Sequence, residues 1–178
     1  MKKNILSTAV ALSLILSAST AAYAEDSKML LEVGYAAVGI EDEGFDVDVG
    51  ALNLGIGIEV HENLNINANY AVGVSDDTVI VLGTPVSAEL NSIFSVFFEP
   101  KTELSDGVEL YGRLGYYTAE VQASANGVSI SDDTSDFAYG AGLRFDIGDS
   151  AYVTPAYTVY NDDEGDVTAM SIAVGMKF

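Results

Sequence analysis

Apolar and polar residues alternate with a period of two along most of the chain after residue 28. One phase of the C-terminal segment consists of Met170, Ile172, Val174, Met176 and Phe178, and small or polar residues lie between them. The same alternation recurs at 52–60, 64–74 and 137–147. Because successive side chains of a β-strand point to opposite faces, this pattern predicts strands that each have one apolar face.

Four further segments alternate less regularly, at 28–40, 89–101, 108–125 and 152–160. No helical period separates the segments, so the simplest topology is an antiparallel meander of eight strands. Pro155 lies within the seventh segment, where it cannot donate a hydrogen bond to a neighbouring strand.

The connections between these segments alternate in length. Short turns are predicted at 61–63, 102–107 and 148–150, and mostly longer acidic loops are predicted at 41–46, 75–87, 126–135 and 161–166. The Asn-Gly pair at 126–127 is a signal for a two-residue hairpin. Short turns at one end and longer loops at the other are typical of outer-membrane barrels.

Residues 1–24 predict an export signal that is cleaved from the barrel domain at 25–178. Lys2 and Lys3 precede a short apolar run, and the Ala-Tyr-Ala sequence at 22–24 has the small-x-small pattern of a signal peptidase site. The barrel domain keeps all 27 acidic residues of the chain but only five of its seven basic ones. This acidity argues against a nucleic-acid partner, whose phosphates require basic patches.

The polar phase of the strands is rich in glycine, alanine, serine and asparagine. A soluble barrel would turn its apolar phase inward and place charged residues outside. Small residues suit instead the narrow lumen of an eight-stranded barrel, and tyrosine and phenylalanine on the apolar phase match aromatic girdles. We therefore predict an all-β, eight-stranded antiparallel up-and-down transmembrane β-barrel with its apolar phase toward lipid.

All five basic residues of the predicted barrel fall on the polar phase, in the half with the short turns. Five acidic residues fall on the same phase in the same half. Buried charges persist only when they are paired. We therefore predict a mixed-charge network in the lumen, formed by Lys28, Glu32, Glu59, Glu99, Lys101, Glu109, Arg113, Arg144, Asp146 and Lys177.

Three segments, YGRLGYY at 111–117, YGAGLRFDI at 139–147 and the terminal strand at 171–178, carry a resemblance to a known family. The chain resembles the small eight-stranded outer-membrane β-barrels, which include the outer-membrane protein A barrel, the outer-membrane protein X type and porin-family proteins. The resemblance implies a location in the bacterial outer membrane, in contact with its lipid and lipopolysaccharide. It also implies that Phe178 is part of the signal read by the barrel-assembly machinery, although Ala173 stands where that signal usually has glycine.

The sequence favours a non-enzymatic structural or interaction barrel with acidic extracellular loops and a largely plugged lumen. A narrow porin-like channel for small solutes is the alternative. A lipid A-modifying enzyme is less favoured, because the family's lipid A enzymes need a histidine near the outer rim. The single histidine, His61, lies in a turn assigned to the periplasm, and no catalytic residues are predicted.

The acidic run at 161–166 is the candidate site for a divalent cation, because calcium prefers clustered oxygen ligands. Its spacing does not match a known calcium loop, so a solvated hairpin tip is the alternative explanation. The candidate ligands are Asp162, Asp163, Glu164 and Asp166. No glycine-rich cofactor motif opens a helix, and no cofactor is predicted.

Overall fold

The computed structural model describes residues 28–42, 45–81, 84–125, 128–162 and 165–178. The strands in these ranges are β1 (Met29–Asp42), β2 (Phe45–His61), β3 (Leu64–Gly73), β4 (Asp76–Val81), β5 (Thr84–Ser105), β6 (Val108–Ala125), β7 (Val128–Ile147), β8 (Ala151–Asp162) and β9 (Gly165–Lys177). They form one antiparallel sheet in the order β3-β2-β1-β9-β8-β7-β6-β5-β4. Pairing of β3 with β5 closes this sheet into a barrel. No helix in the described ranges is long and apolar enough to span a membrane.

The predicted count of eight strands is wrong, because the structure has nine strands in the described ranges. The additional strand, β4, lies in the segment 75–87 that the sequence assigned to a loop, and it pairs with the start of β5. Between β3 and β4, the amides of Val74 and Ser75 donate to the carbonyl of Gly50 at 2.8 and 3.4 Å. These two amides therefore bond to β2, and this interrupts the strand that lies along β5.

The predicted longer loops are also mostly strand. β1 pairs with β2 as far as Asp42 and Phe45, and β8 pairs with β9 as far as Asp162 and Gly165. The Asn-Gly pair at 126–127 lies outside the described residues, but Ala125 pairs with Val128, as a two-residue hairpin requires. These segments are acidic and alternate poorly, so their sequence favoured loops over strands.

The apolar phase of the strands forms the outer wall of the barrel. On β9, Met170, Ile172 and Val174 are 69, 56 and 54% exposed, whereas Ala169 and Ala173 are 5 and 6% exposed. The outer wall is thus apolar, and the small residues of the other phase line the interior.

Pro155 interrupts the pairing of β7 with β8. The pairing of β7 with β8 skips Leu143 and Arg144, which lie opposite Pro155 and Thr154. Proline has no amide hydrogen to donate at this point, which accounts for the missing pair.

Candidate functional site

The charged residues that the sequence assigned to the lumen lie at the end of the barrel that carries Met29 and Lys177. Lys101 Nζ lies 2.6 Å from Glu59 Oε2 and 3.4 Å from Glu109 Oε1. Arg113 Nη2 lies 2.9 Å from Glu99 Oε1, and Glu99 is fully buried. Residues from β2, β5 and β6 therefore meet across the interior.

Arg144 on β7 is at the centre of these contacts and is 1% exposed. Its Nη1 donates to Glu109 Oε2 at 2.9 Å, and its Nη2 lies 3.7 Å from Glu32 Oε1 and 3.8 Å from Glu99 Oε2. The guanidinium group therefore faces three carboxylates, which come from β1, β5 and β6.

The remaining members lie nearer to solvent. Lys177 Nζ is 2.7 Å from Asp146 Oδ1. Lys28 is exposed and has no ion pair among the described residues, although its carbonyl accepts a hydrogen bond from the amide of Glu59. The structure thus brings nine of the ten residues into ion pairs, and we call them the ion-pair cluster: Glu32, Glu59, Glu99, Lys101, Glu109, Arg113, Arg144, Asp146 and Lys177.

Three buried aromatic rings, for which the sequence predicted no role in the lumen, contact these cations, and two of them, Tyr111 and Tyr152, lie between successive cations. The Arg144 guanidinium lies 5.1 Å from the ring centroid of Tyr111 and 4.9 Å from that of Tyr152. The Arg113 guanidinium lies 5.1 Å from the ring of Phe97 and 5.2 Å from that of Tyr111. These distances are typical of cation–π contacts. We call this arrangement the cation–aromatic column, which consists of Phe97, Arg113, Tyr111, Arg144, Tyr152 and Lys177.

Hydrogen bonds and glycines fix the two tyrosine rings. Tyr152 donates to Glu32 Oε1 at 2.9 Å, and the hydroxyl of Tyr111 lies 2.8 Å from Thr154 Oγ1. A Cβ atom at Gly142 would meet the ring of Tyr111, and one at Gly175 would meet the ring of Tyr152. The sequence offers one weak signal for these rings, because both tyrosines share the phase of the lumen charges.

Toward the end of the barrel opposite Met29 and Lys177, the interior becomes apolar. A buried group, which we call the apolar layer, fills the lumen toward the other end of the barrel; it consists of Ala36, Val38, Val49, Ala51, Ala71, Leu90, Ile93, Phe97, Tyr117, Ala119, Ala138 and Ala169. Tyr117 and Tyr160 pack edge to face within it, with ring centroids 4.9 Å apart. Two layers of different chemistry therefore occupy the interior in series.

Strands β6 and β7 stay paired beyond the point at which β7 stops pairing with β8. β7 pairs with β8 up to Ala138, but it pairs with β6 up to Val128. We use the name protruding sheet for β4 together with residues 84–91 of β5, 118–125 of β6 and 128–137 of β7. Among the described residues, no strand pairs with 128–137 on the side away from β6. These ten residues of β7 are therefore an open sheet edge.

The two faces of the protruding sheet differ. One face carries hydroxyl pairs, with Ser124 Oγ 2.8 Å from Ser129 Oγ and Thr78 Oγ1 3.0 Å from Ser87 Oγ. The face continuous with the lumen carries Val128 and Ile130, which are 64 and 70% exposed. An exposed apolar face therefore adjoins the open edge.

Acidic side chains surround this end of the barrel. The chain has no lysine or arginine at 29–100 or 114–143, ranges that include the whole protruding sheet. The described carboxylates here are Asp48, Asp76, Asp77, Glu89, Glu120, Asp132, Asp133 and Asp136. The end with the protruding sheet is therefore uniformly negative, whereas the opposite end has paired charges.

The structure leaves the candidate cation site untested. Asp163 and Glu164 lie outside the described residues, and for Asp162 and Asp166 only the backbone is described, in the pairing of β8 with β9. Within the described ranges, no group of three histidine, aspartate or glutamate side chains is placed to hold a metal ion.

His61 and Phe178 lie at the end opposite the protruding sheet. His61 is the exposed last residue of β2, and its Nδ1 accepts a hydrogen bond from the amide of Asn63, in the turn that follows, at 3.3 Å. Phe178 follows β9, is 68% exposed, and donates its amide hydrogen to the carbonyl of Met29 at 2.9 Å.

Comparison with known proteins gives consistent matches. Residues 8–178 match the family model described as outer membrane protein beta-barrel domain. The attachment invasion locus protein of Yersinia enterocolitica is 26% identical over 180 residues, which cover 100% of each chain. The crystal structure of Ail, the attachment invasion locus protein of Yersinia pestis, has a TM-score of 0.67 at 22% identity, covering 86% of this chain and 99% of that one. Neisserial surface protein A has a TM-score of 0.63 at 12% identity, covering 84% of this chain and 97% of that one.

Proposed function

The chain belongs to the outer membrane protein β-barrel domain family and is located in the bacterial outer membrane, and from this premise we propose that it is a non-enzymatic interaction barrel. In this proposal the protruding sheet lies outside the cell and binds a protein partner. The similar protein from Yersinia enterocolitica is named an attachment invasion locus protein, and this name supports a proposed role for the present chain in binding a partner outside the cell.

The observation that carries the proposal is the open edge at 128–137. An unpaired strand edge offers a row of amide and carbonyl groups to an extended segment of another chain. Edge strands are normally shortened, covered or charged to prevent such pairing. Here Asp132, Asp133 and Asp136 would discourage pairing between copies of this chain, because like charges would face each other. The same carboxylates favour a partner strand that carries basic residues.

The negative charge of the protruding sheet further limits the class of partner that can bind there. The Yersinia pestis relative has a crystal structure in complex with the heparin analogue sucrose octasulfate. A polysulfated ligand would be repelled by the protruding end of this barrel, where lysine and arginine are absent. We therefore propose a basic protein segment with alternating apolar residues, which would contact Val128 and Ile130.

Binding of synthetic peptides to the full barrel in lipid nanodiscs tests this function. We expect a peptide of alternating lysine and valine to bind, and a peptide of alternating glutamate and valine to fail. Replacement of Asp132 and Asp133 by lysine should lower the affinity for the basic peptide about tenfold or more, a loss of about 1.4 kcal/mol in binding free energy. The matched control replaces Asp106 and Asp149, which are exposed in turns at the opposite end, and should leave binding unchanged. Equal binding by the two peptides would contradict the proposal.

We propose in addition that the lumen is closed to solutes. Two levels of the interior support closure: the ion-pair cluster with the aromatic rings packed against its cations fills one, and the apolar layer fills the other. The narrow channel is the competing function, and conductance measurements separate the two.

Two partners predicted from the sequence remain proposals. The exposed ring of Phe178 at the end of β9 is compatible with a signal for the barrel-assembly machinery. Phe178→Ala should then reduce the amount of barrel inserted in the outer membrane without changing the stability of the folded protein.

Divalent cations are the second proposed partner, as a bridge between acidic side chains and lipopolysaccharide. If they bind, calcium should raise the melting temperature of the barrel, and an unchanged melting temperature would contradict this proposal.

A further inference from the structure

A groove crosses the outer wall of the barrel on the adjacent strands β6, β7, β8, β9 and β1. Its volume is about 520 Å³, and its lining includes Ala37, Leu110, Ala141, Tyr157 and Ile172. Neighbouring strands lie about 4.8 Å apart, so the four intervals between these strands give the groove a length of about 19 Å. Sites for small molecules have volumes of about 300–1,000 Å³. The wall therefore has room here for part of a small molecule.

Two features of the sequence produce this groove. Ala37 and Ala141 are on the outward phase, and their short side chains leave a depression between longer ones. Pro155, which interrupts the pairing of β7 with β8, also lines the groove. Gly142 and Ala156 belong to the lumen phase and yet line it as well. The backbone of the wall therefore forms part of the base of the groove.

In a bilayer, packing decides what fills such a groove. Lipid tails are as apolar as the groove, so the hydrophobic effect does not drive a partner into it, and association depends on van der Waals contact. An empty groove would leave the atoms that line it without contacts on one side. The barrel is located in the outer membrane, and the groove is continuous with the wall that faces lipid. Hydrocarbon chains are therefore the molecules that lie at its opening.

We propose that the groove holds one acyl chain of a phospholipid, in a one-to-one site from which the lipid exchanges more slowly than from the rest of the wall. One leaflet is about half of the ~30 Å hydrocarbon core, so about 15 Å of chain fits within the groove. A flexible chain can reach the base of the groove between the side chains that line it. The convex wall of a second barrel would instead meet the exposed side chains of Tyr157 and Met170 first.

The position of the groove indicates which leaflet supplies the lipid. Leu110 is the third residue of β6, whereas Tyr35 is the seventh residue of β1. The groove thus begins close to the end that holds the ion-pair cluster and rises toward the middle of the wall. In the orientation proposed above this is the periplasmic leaflet, which consists of phospholipid. The choice of leaflet rests on the proposed function, whereas the acyl-chain site itself does not.

Native mass spectrometry tests the site on the full barrel, reconstituted in vesicles of palmitoyl-oleoyl phosphatidylethanolamine and phosphatidylglycerol and then released in mild detergent. We expect one phospholipid to stay bound to each barrel. Ala141→Leu fills the groove and should lower the affinity for this lipid about tenfold, the equivalent of about 1.4 kcal/mol. Ala37→Leu should have the same effect from β1. The matched control is Ala68→Leu, on the outward phase of β3, a strand that does not line the groove, and it should retain the lipid.

The outcomes separate the possible occupants. Equal retention by Ala141→Leu and Ala68→Leu, or no retained lipid in the natural protein, would overturn the proposal. A dimer that Ala141→Leu abolishes would also overturn it, and would show that a second copy of the chain fills the groove. Barrels extracted from outer membranes should carry phospholipid, and retention of lipopolysaccharide in its place would contradict the choice of lipid.

Two controls keep the result interpretable. The mobility of the folded band on unheated gels shows which variants fold, and Ala37→Leu provides the comparison if Ala141→Leu does not. Peptide binding at the protruding sheet involves other residues, so Ala141→Leu should bind the basic peptide as the natural protein does. Loss of lipid with unchanged peptide binding is the expected result, and each proposal can fail without the other.

Discussion

Arg144 illustrates how a single residue can hold the interior of this barrel. It lies between two tyrosine rings and faces three carboxylates, yet it is 1% exposed. A guanidinium group suits this position because its flat faces stack on rings while its edge donates hydrogen bonds. A lysine would provide charge without the two flat faces.

Replacement of Arg144 by alanine should lower the free energy of unfolding by about 3–5 kcal/mol, because it leaves buried carboxylates without their cation. Arg144→Lys should cost less. Urea unfolding in lipid vesicles, followed by the mobility of the folded band on unheated gels, measures both. Lys28→Ala is the control and should change stability by less than about 0.5 kcal/mol, since Lys28 is exposed and has no ion pair among the described residues. An Arg144→Ala protein as stable as this control would show that the ion-pair cluster contributes nothing.

Gly175→Ala should destabilise the barrel by about 1–3 kcal/mol, because the added methyl group meets the ring of Tyr152. Gly112→Ala is the matched control, since the nearest atoms to its added Cβ are 3.9 Å away. In a Tyr152→Ala background the Gly175 change should cost much less, and a double-mutant cycle of urea midpoints measures this coupling. Independent, additive effects would argue against the packing of ring on glycine.

At this scale the charges were predictable and the rings were not. The phase of each strand placed Arg113 and Arg144 with the acidic residues that the structure puts beside them. Tyr111 and Tyr152 share that phase, but tyrosine is common in strands and in aromatic girdles, so its type gave no warning of a buried role. Only the cross-strand arrangement shows that each ring covers a glycine.

At the scale of elements, β7 combines two environments in one strand. Residues 138–147 belong to the barrel wall, whereas 128–137 have β6 on one side only. The alternation of the sequence predicted the strand at 138–147. The run Ser131-Asp132-Asp133-Thr134-Ser135, in contrast, has no apolar phase. It is held in the sheet by pairing with β6, which a pattern along one strand cannot reveal.

Amide hydrogen exchange should divide β7 at Ala138. We expect fast exchange for those amides at 128–137 that point away from β6, and slow exchange across 138–147. Residues 118–125 of β6 extend as far above the barrel but pair with both β5 and β7, so they serve as the control and should be protected. Uniform protection along β7 would mean that the edge is covered.

β4 was missed for a related reason. Val79, Ile80 and Val81 are consecutive apolar residues, and Asp76, Asp77 and Thr78 are consecutive polar ones, so the segment does not alternate. Its strand character comes from its partner, the start of β5, and from the bonds of Val74 and Ser75 to Gly50. A break of this kind depends on a distant strand, so a pattern read along the chain did not show it.

At the scale of the whole molecule, the interior has two barriers in series. The ion-pair cluster fills one level and the apolar layer another. An ion that crosses must break paired charges and then pass a level lined mainly by apolar side chains, and both steps are unfavourable.

Planar-bilayer recordings of the natural protein should therefore show no reproducible single-channel steps. Variants that thin only the apolar layer, such as Ile93→Ala with Tyr117→Ala, should also remain closed because the ion-pair cluster is intact. Regular steps in the natural protein would favour the narrow channel and contradict a closed lumen.

The buried contacts of Glu32 have a consequence for the lifetime of the folded barrel. Glu32 is on β1, whereas its partners Arg144 and Tyr152 are on β7 and β8, so these bonds form only when the first and last strands have met. Interactions made after the rate-limiting step slow unfolding without speeding folding. Arg144→Ala should thus leave the rate of insertion into vesicles nearly unchanged and accelerate unfolding by about a hundredfold, the equivalent of about 3 kcal/mol. Slower insertion with an unchanged unfolding rate would show that the contact forms before the rate-limiting step of folding. The expected result would show that the contacts of Glu32 act after the first and last strands have paired, and that they slow the separation of these strands.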